Sequence, residues 1–365
     1  MGFLDLKYDI FGLDINDSSI KLVKLKKKGS GFVLSSFNEV RISPGIIEDG
    51  IIKKEDILIR ILKHAYITAK GEKIKTKYVV GSFPEKKSFL QVIKMPNMTE
   101  EELRTTVPFE AENYIPMPIS ETYLDFHVIP SSQNKKNYLE VLIVAAPRKI
   151  VDSYVSCLKG AGFIPVMLES ESEAIARALV KEKNNPTILV DFGENNTNFI
   201  IYENGAVRFS CTISVFSQTI TEEISRLLKV SREEAEKLKT EYGLVEKKNN
   251  INLVRSTQII RSVLKELANQ IKKYLNFYKE HSSEKELGEG KMEKILFCGG
   301  GAKLKGLVEF MSNELGIKAE IGVPAVKLKY PSKKIQKITD KHLTIFTGAI
   351  GLALAQTEIN KRRNL

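Results

Sequence analysis

The chain has 365 residues, 42% hydrophobic and 28% charged, with a formal net charge of +11. That length supports two domains or one bilobed body, and the composition is ordinary for a soluble globular protein, not a disordered or fibrous one. Three widely spaced Cys residues (Cys157, Cys211, Cys298) and four dispersed His argue against a disulfide framework or a zinc site, and no apolar run of about 18 residues proposes a membrane span.

In chain order, Ile10–Ile15, Ile20–Lys26 and Phe32–Arg41 read as a three-strand meander with a turn at Gly29-Ser30-Gly31. A helix is expected from Glu55 to Lys70, then strands at Tyr78–Phe83 and Ser88–Lys94. Thr99 and Glu102 have capping-box spacing and open a helix to Tyr114, with Pro108 inside it. Tyr123–Pro130 and Asn137–Ala146 pattern as a hairpin, followed by helices over Pro147–Ala161 and Ser170–Lys183. A second meander follows: Thr187–Asp191, Asn198–Glu203 and Ala206–Ile213, the last two joined by Asn204-Gly205, a good two-residue turn. The strand-strand-strand-then-helices pattern thus occurs twice, an internal repeat. Thr219–Leu228, Ser231–Tyr242 (with a capping box at Ser231 and Glu234) and Gln258–Glu280 carry helical spacing, with charged loops at Lys247–Asn252 and His281–Lys291. Lys294–Cys298 is a buried strand, Lys303–Leu315 a helix, and His342–Lys361 a final helix.

Two strand-turn elements carry the chemistry. The first strand ends in Asp14 and turns through Asn16, Ser18 and Ser19 into a strand bearing Lys21. The second ends in Asp191 and turns through Gly193 and Asn196 into Thr197 and Asn198. Backbone N–H groups and hydroxyls in such turns cradle phosphate oxygens, and Asp14 and Asp191 suit a Mg²⁺ held largely through water. Gly299-Gly300-Gly301-Ala302, with Lys303 behind it, lies between a strand and a helix; it admits a ligand to the backbone or is simply a tight turn. No P-loop and no G-x-G-x-x-G motif is present. Glu236 and Lys239, spaced i,i+3, read as a solvated ion pair or a ribose clamp. Glu171, in the first turn of its helix, is a dipole partner or a group that orients water.

Taken together and in order, these motifs resemble the actin/Hsp70-like ATPase superfamily over nearly the whole chain. Asp14–Lys21 and Asp191–Asn198 match its two phosphate loops, Glu171–Ala178 and Thr347–Leu354 its connecting helices, and Gly299–Lys303 its adenosine motif. Within it, Met95–Leu103, Phe109–Pro116, Tyr123–Asp125 and Glu233–Lys239 are similar to the PilM family of type IV pilus assembly proteins. Two positions depart: Asn16 stands where the family usually has Gly, and Phe216-Ser217 where PilM relatives commonly have Gly-Gly.

The resemblance implies an α/β, actin-like (ribonuclease H-like) duplicated two-lobe fold with an FtsA-like inserted subdomain 1C. Its implied divisions are 1–43 and 126–185 for subdomain 1A, 44–125 for 1C, 186–217 and 291–365 for 2A, and 218–290 for 2B. It implies ATP or ADP bound between the lobes with Mg²⁺ near Asp14 and Asp191, ribose contact by Glu236 and Lys239, and weak ATPase activity at most, with Glu171 orienting water. The implied partner is the N-terminal cytoplasmic tail of PilN, held in a groove lined by parts of 20–45 and 78–118. Other pilus inner-membrane components and a homo-oligomer are further implied partners, and nucleic acid is not. The N-terminus lacks a signal peptide, and Leu6 stands where a myristoylation signal needs Ser or Thr, so a cytoplasmic protein at the inner membrane is expected. Short basic clusters occur at Lys26-Lys27-Lys28, Lys333-Lys334 and Lys361-Arg362-Arg363. Alternatives are an actin-like scaffold that has lost nucleotide, motivated by Asn16 and Phe216, an FtsA-like membrane-associated filament protein, and a sugar or acetate kinase.

Overall fold

The computed structural model describes residues 8–29, 31–129, 137–181, 186–245, 251–281, 292, 294–324 and 340–362. Of the expectations above, those on Leu6, Ser30, Pro130, Lys183, 247–250, 282–291, Lys333-Lys334 and Arg363 lie outside the described residues. Contacts divide the chain into two compact units, Met1–Lys181 with Pro324–Leu365, and Glu182–Val323.

The first unit is built on a six-stranded sheet. Its strands are β1 (Phe11–Ile15), β2 (Ser19–Lys28) and β3 (Gly31–Arg41); the short β4 (Ile47–Glu48) and β5 (Ile51–Ile52) pair separately as a hairpin. After α1 (Glu55–Ile67) come β6 (Lys70–Gly71) and β7 (Tyr78–Phe83). Then β8 (Phe89–Pro96), α2 (Glu100–Ala111), β9 (Thr122–Ile129), β10 (Tyr138–Pro147), α3 (Arg148–Gly160), β11 (Ile164–Ser170) and α4 (Glu171–Leu179) follow. The main sheet has the order β11-β7-β1-β2-β3-β6, with β1 antiparallel to β2 and parallel to β7. β1 is buried along its whole length, which is why it reads as an apolar run rather than an alternation. Phe11, Leu13 and Ile15 pack against α1 and α3 through Leu58, Leu62, Tyr154 and Leu158. Alternation sends Gly12 and Asp14 to the opposite face.

Beyond the second unit the chain returns as α9 (Asp340–Leu343), α10 (Thr347–Leu354) and α11 (Gln356–Arg362), and α10 covers that opposite face. The expected single terminal helix is thus in pieces. Contact between α10, β1 and α4 is close enough to demand glycine. A Cβ on Gly12 would sit 2.3 Å from the Ala349 carbonyl oxygen, and one on Gly351 would sit 1.8 Å from the Ala174 carbonyl oxygen.

The segment 44–125 is divided between two layers. β7 and α1 belong to the main sheet and its cover, whereas β8 joins β10 and β9 in a separate three-stranded sheet of order β8-β10-β9. Leu103, Val107 and Ala111 of α2 pack on Ile93, Val141 and Ile143 of that sheet. This three-stranded layer spans Phe89 to Pro147, and its β9–β10 hairpin crosses the 125/126 division expected from the resemblance.

The second unit repeats the scheme. Its strands are β12 (Thr187–Phe192), β13 (Thr197–Glu203), β14 (Ala206–Ile213), β15 (Lys294–Cys298) and β16 (Lys318–Ile321), in the order β14-β13-β12-β15-β16. β12 is antiparallel to β13 and parallel to β15, as β1 is to β2 and β7. Helices α5 (Ser217–Leu228), α6 (Arg232–Lys237), α7 (Ile251–His281) and α8 (Leu307–Leu315) complete it, with a π-helical turn over Leu238–Tyr242. α7 begins earlier than its expected start at Gln258. Ile220, Ile224, Leu264, Leu267 and Ile271 pack on Val190, Phe199 and Phe297.

Candidate phosphate-loop site

The turn after β1 is closed by one side chain. Asn16 Oδ1 accepts hydrogen bonds from the Ser18 N–H (3.2 Å), the Ser19 N–H (2.9 Å) and both serine hydroxyls. Two further bonds hold the turn without that side chain: the Asn16 N–H donates to the Ser19 carbonyl and the Ile42 N–H to the Ser18 carbonyl. Asn16 is not among the residues with positive φ, so the Asn standing at this usual Gly position carries no left-handed backbone. An Asx turn takes its place.

Asp14 is 8% exposed. Its Oδ1 accepts from the Ser82 hydroxyl (3.3 Å), which also receives the Ile15 N–H, and the Lys21 ammonium lies 3.8 Å from Oδ2. Gly348 of α10 leaves room for this carboxylate, since a Cβ there would stand 3.1 Å from Oδ2.

Beside the loop, the Asp17 carboxylate accepts the Gly50 N–H, and the Gly50 carbonyl accepts the Tyr154 hydroxyl from α3. Glu171 lies buried in the first turn of α4. The buried Glu85 carboxylate accepts the Ser172 N–H of that turn, and Ser170 caps the helix. Arg177 grips Glu169 through two parallel bonds (2.5 and 2.8 Å) and Glu358 of α11 through two more. Burial lowers the Arg177 pKa, but Glu169 and Glu358 more than offset it and hold the guanidinium well above its ordinary value. Glu173 is pushed up to about 8, first by burial and then by the Glu169 charge.

In the second unit, the turn after β12 is tight: the Gly193 N–H donates to the Asn196 carbonyl at 2.9 Å, and a Cβ on Gly193 would lie 2.6 Å from that oxygen. Thr197 and Asn198 are fully buried. Thr197 donates its hydroxyl to the Val215 carbonyl, and Asn198 accepts the Thr212 hydroxyl. Their side chains thus brace the turn, leaving Gly193–Asn196 as the part that reaches its surface. Ser217 and Gln218, at the start of α5, donate their N–H groups to the Gly193 and Glu194 carbonyls. Phe216 is the residue before α5, with extended backbone, so its position requires no glycine conformation.

Gly299 has φ +81 and packs on the Asp191 carboxylate and the Phe192 carbonyl, while Gly301 packs on the Phe192 ring. Nothing lies within 4 Å of a Cβ built on Gly300, so its backbone faces open space. The sequence-based expectation that a helix starts at Lys303 is corrected. Gly301–Lys303 is a single 3₁₀ turn and α8 starts at Leu307, because Gly306 takes a left-handed conformation (φ +82). Lys303 is exposed at the end of the 3₁₀ turn. The Cys298 thiol lies 3.7 Å from Asp191 Oδ1.

Glu236 and Lys239 do pair, at 2.8 Å, but not as a solvated surface pair. Lys239 is buried and also donates to the Ser217 carbonyl, the Ser217 hydroxyl and the Thr221 hydroxyl. Glu236 accepts the Thr221 hydroxyl while 49% of its side chain stays exposed.

Taken unit by unit, each tight turn after a buried strand lies beside a carboxylate and has the donor chemistry of a phosphate contact, and the second unit also has an open glycine backbone at Gly300. Among the described residues no three His, Cys, Asp or Glu side chains converge on a metal, and no helix is long and apolar enough to cross a membrane. Sequence reading missed Ser82, Asp17, Gly50, Tyr154 and Glu85. Asp17 and Ser82 were visible only as polar residues at strand ends, and their partners come from distant segments.

The duplicated sheet with inserted layer defines an actin-like fold. A family model described as type IV pilus assembly protein PilM matches residues 12–357, so the chain belongs to that family. It overlays on the structure of a PilM-PilN type IV pilus biogenesis complex with a TM-score of 0.77 and 26% identity, covering 96% of this chain and 99% of that one. It is 25% identical over 303 residues to the cell division protein FtsA of Borreliella burgdorferi, covering 74% of this chain and 70% of FtsA. MreB5 of Spiroplasma citri, solved with AMPPNP, shares the fold at 15% identity and a TM-score of 0.57, over 97% of this chain and 98% of that one.

Proposed function

We propose that this chain is a cytoplasmic adaptor of the type IV pilus inner-membrane complex, which carries a nucleotide and grips the short cytoplasmic tail of a PilN-type partner. The observation that carries the reading is the family match over 12–357 together with the overlay on a PilM-PilN complex. For ATP or ADP, the Asn16–Ser19 turn, with Lys21 as counter-charge, would be the first unit's phosphate contact, and the Gly193–Asn196 turn the second unit's. Gly299, Gly300, Gly301 and Lys303 would admit the adenosine, and the exposed edge of Glu236 the ribose. Lys239 acts through Glu236, which it holds in place. Asp14 and Asp191 are each candidates, within their own unit, to hold a Mg²⁺ through water. Glu171, 7% exposed, has little access to substrate water, which favours a switch over a turnover enzyme.

The inserted layer suits a peptide. β8 and β9 are its two edges, and an open edge accepts an added strand. Phe109 is 74% exposed on α2, a large apolar group for a partner to cover. Nucleotide shifts such an adaptor by its differential affinity for two states.

The test is to denature the purified chain and chromatograph the supernatant for nucleotide, then titrate the intact protein with ATP–Mg²⁺. Bound or bindable nucleotide supports the switch; neither reduces the reading to a scaffold. A coupled ADP-release screen over sugars and acetate separates a kinase.

A further inference from the structure

We propose that Asn16 is an internal latch on the first phosphate loop: its amide oxygen occupies the donors a nucleotide phosphate needs, so nucleotide enters only when this side chain swings out. The inference rests on the nucleotide reading above. Four donors converge on Oδ1: the Ser18 and Ser19 N–H groups and their two hydroxyls, at 2.9 to 3.3 Å. Such a convergence of backbone N–H groups is an anion-binding concavity. Here a neutral amide oxygen with two lone pairs fills it, whereas a charged phosphate oxygen makes stronger bonds to the same donors.

The geometry also lets the latch leave without collapse of the loop. The Asn16 N–H to Ser19 carbonyl bond (3.1 Å) and the Ile42 N–H to Ser18 carbonyl bond (2.8 Å) close the turn through backbone alone. Asn16 does not have positive φ, so Ala is accommodated at this position as well as Gly. A closed state that competes with ligand lowers apparent affinity by the fraction of molecules that are open, and deleting the latch removes that loss.

The experiment is calorimetric titration of the full chain with ADP–Mg²⁺, in wild type, Asn16→Ala, Asn16→Gly and Asn16→Asp. Amide hydrogen exchange at Ser18 and Ser19 is followed in parallel. Asn16→Ala and Asn16→Gly should bind about tenfold tighter, the equivalent of roughly one net hydrogen bond released. Their Ser18 and Ser19 amides should exchange faster without nucleotide and regain protection with ADP. Asn16→Asp keeps the acceptor and adds a negative charge against phosphate, so it should bind more weakly than wild type. Equal affinity in wild type and Asn16→Ala overturns the latch and leaves the nucleotide reading standing. If none of the proteins binds ADP, both fall. Should the Ala and Gly variants misfold, the near-isosteric Asn16→Asp carries the decision: affinity equal to wild type overturns the latch.

Discussion

Asp17 and Gly50 are joined by a 3.0 Å hydrogen bond from the Gly50 N–H to the Asp17 carboxylate, which fastens the turn after β1 to the β4–β5 hairpin. A side chain at Gly50 is strained: its φ is +75 and a Cβ would lie 2.5 Å from Cβ of Pro84. Its carbonyl holds Tyr154, whose pKa is raised by burial first and by the Asp17 and Glu171 charges after it. Gly50→Ala should cost about 2–4 kcal/mol in urea unfolding, whereas Tyr154→Phe, which removes one hydroxyl bond and no volume, should cost about 1 kcal/mol. In a spectroscopic titration the Tyr154 phenol should stay protonated after the exposed tyrosines have ionised.

Glycines at the α10 contact should behave oppositely to those in open turns. Gly351→Ala or Gly12→Ala pushes backbone against backbone, and either should destabilise by about 3 kcal/mol or more or prevent folding. Gly31→Ala meets nothing within 4 Å and should stay within about 0.5 kcal/mol of wild type. Thermal melts of the three variants check the ordering.

These contrasts explain what could be read in the chain. The duplicated meanders were legible because β1 and β12 are apolar runs whose next-to-last residue is Asp, with Asn204-Gly205 marking one turn outright. The Thr99 capping box was legible for the same local reason, and both of its reciprocal bonds form. β11 was not, since Pro165 interrupts its apolar run; the strand accommodates it at the sheet edge with an irregularity at Pro165/Met167. That β8 pairs with the β9–β10 hairpin in a sheet of its own was not legible, because strand pairing is a long-range fact. At the loops, Asp14, Asp191 and the glycines were visible from residue type. That Asn16 would close its own turn, or that Lys239 would be buried under Ser217 and Thr221, depends on partners no local pattern announces.

The acidic cluster at α4 predicts a pH dependence. Glu173 faces Glu169, Arg177, Glu85 and Glu358, and its folded pKa is raised from 4.5 to about 8. Between those values the folded state binds more protons than the unfolded one, so stability falls as pH rises. Its contribution is most favourable below about pH 4.5 and fully lost above about pH 8. Glu173→Gln should flatten the stability curve across that window in urea titrations at stepped pH. Arg177→Met strands Glu169, which is 4% exposed, and should cost about 3–5 kcal/mol at pH 7.

Lys239 and Glu236 should separate fold from binding. Lys239→Met leaves the Ser217 carbonyl and the Thr221 hydroxyl without their buried cation and should destabilise by about 2–3 kcal/mol. Glu236→Ala, at a half-exposed side chain, should cost under about 1 kcal/mol yet weaken ADP binding. Melting curves beside ADP titrations of both variants distinguish the two roles.

The adaptor claim is tested most directly by calorimetric titration of the full chain with a synthetic peptide of the N-terminal cytoplasmic tail of the PilN-type protein from the same source. The account predicts saturable one-to-one binding with a Kd on the order of micromolar, weakened at least several-fold when Phe109 is replaced by Ser. No binding by a folded wild-type chain at millimolar peptide would contradict it.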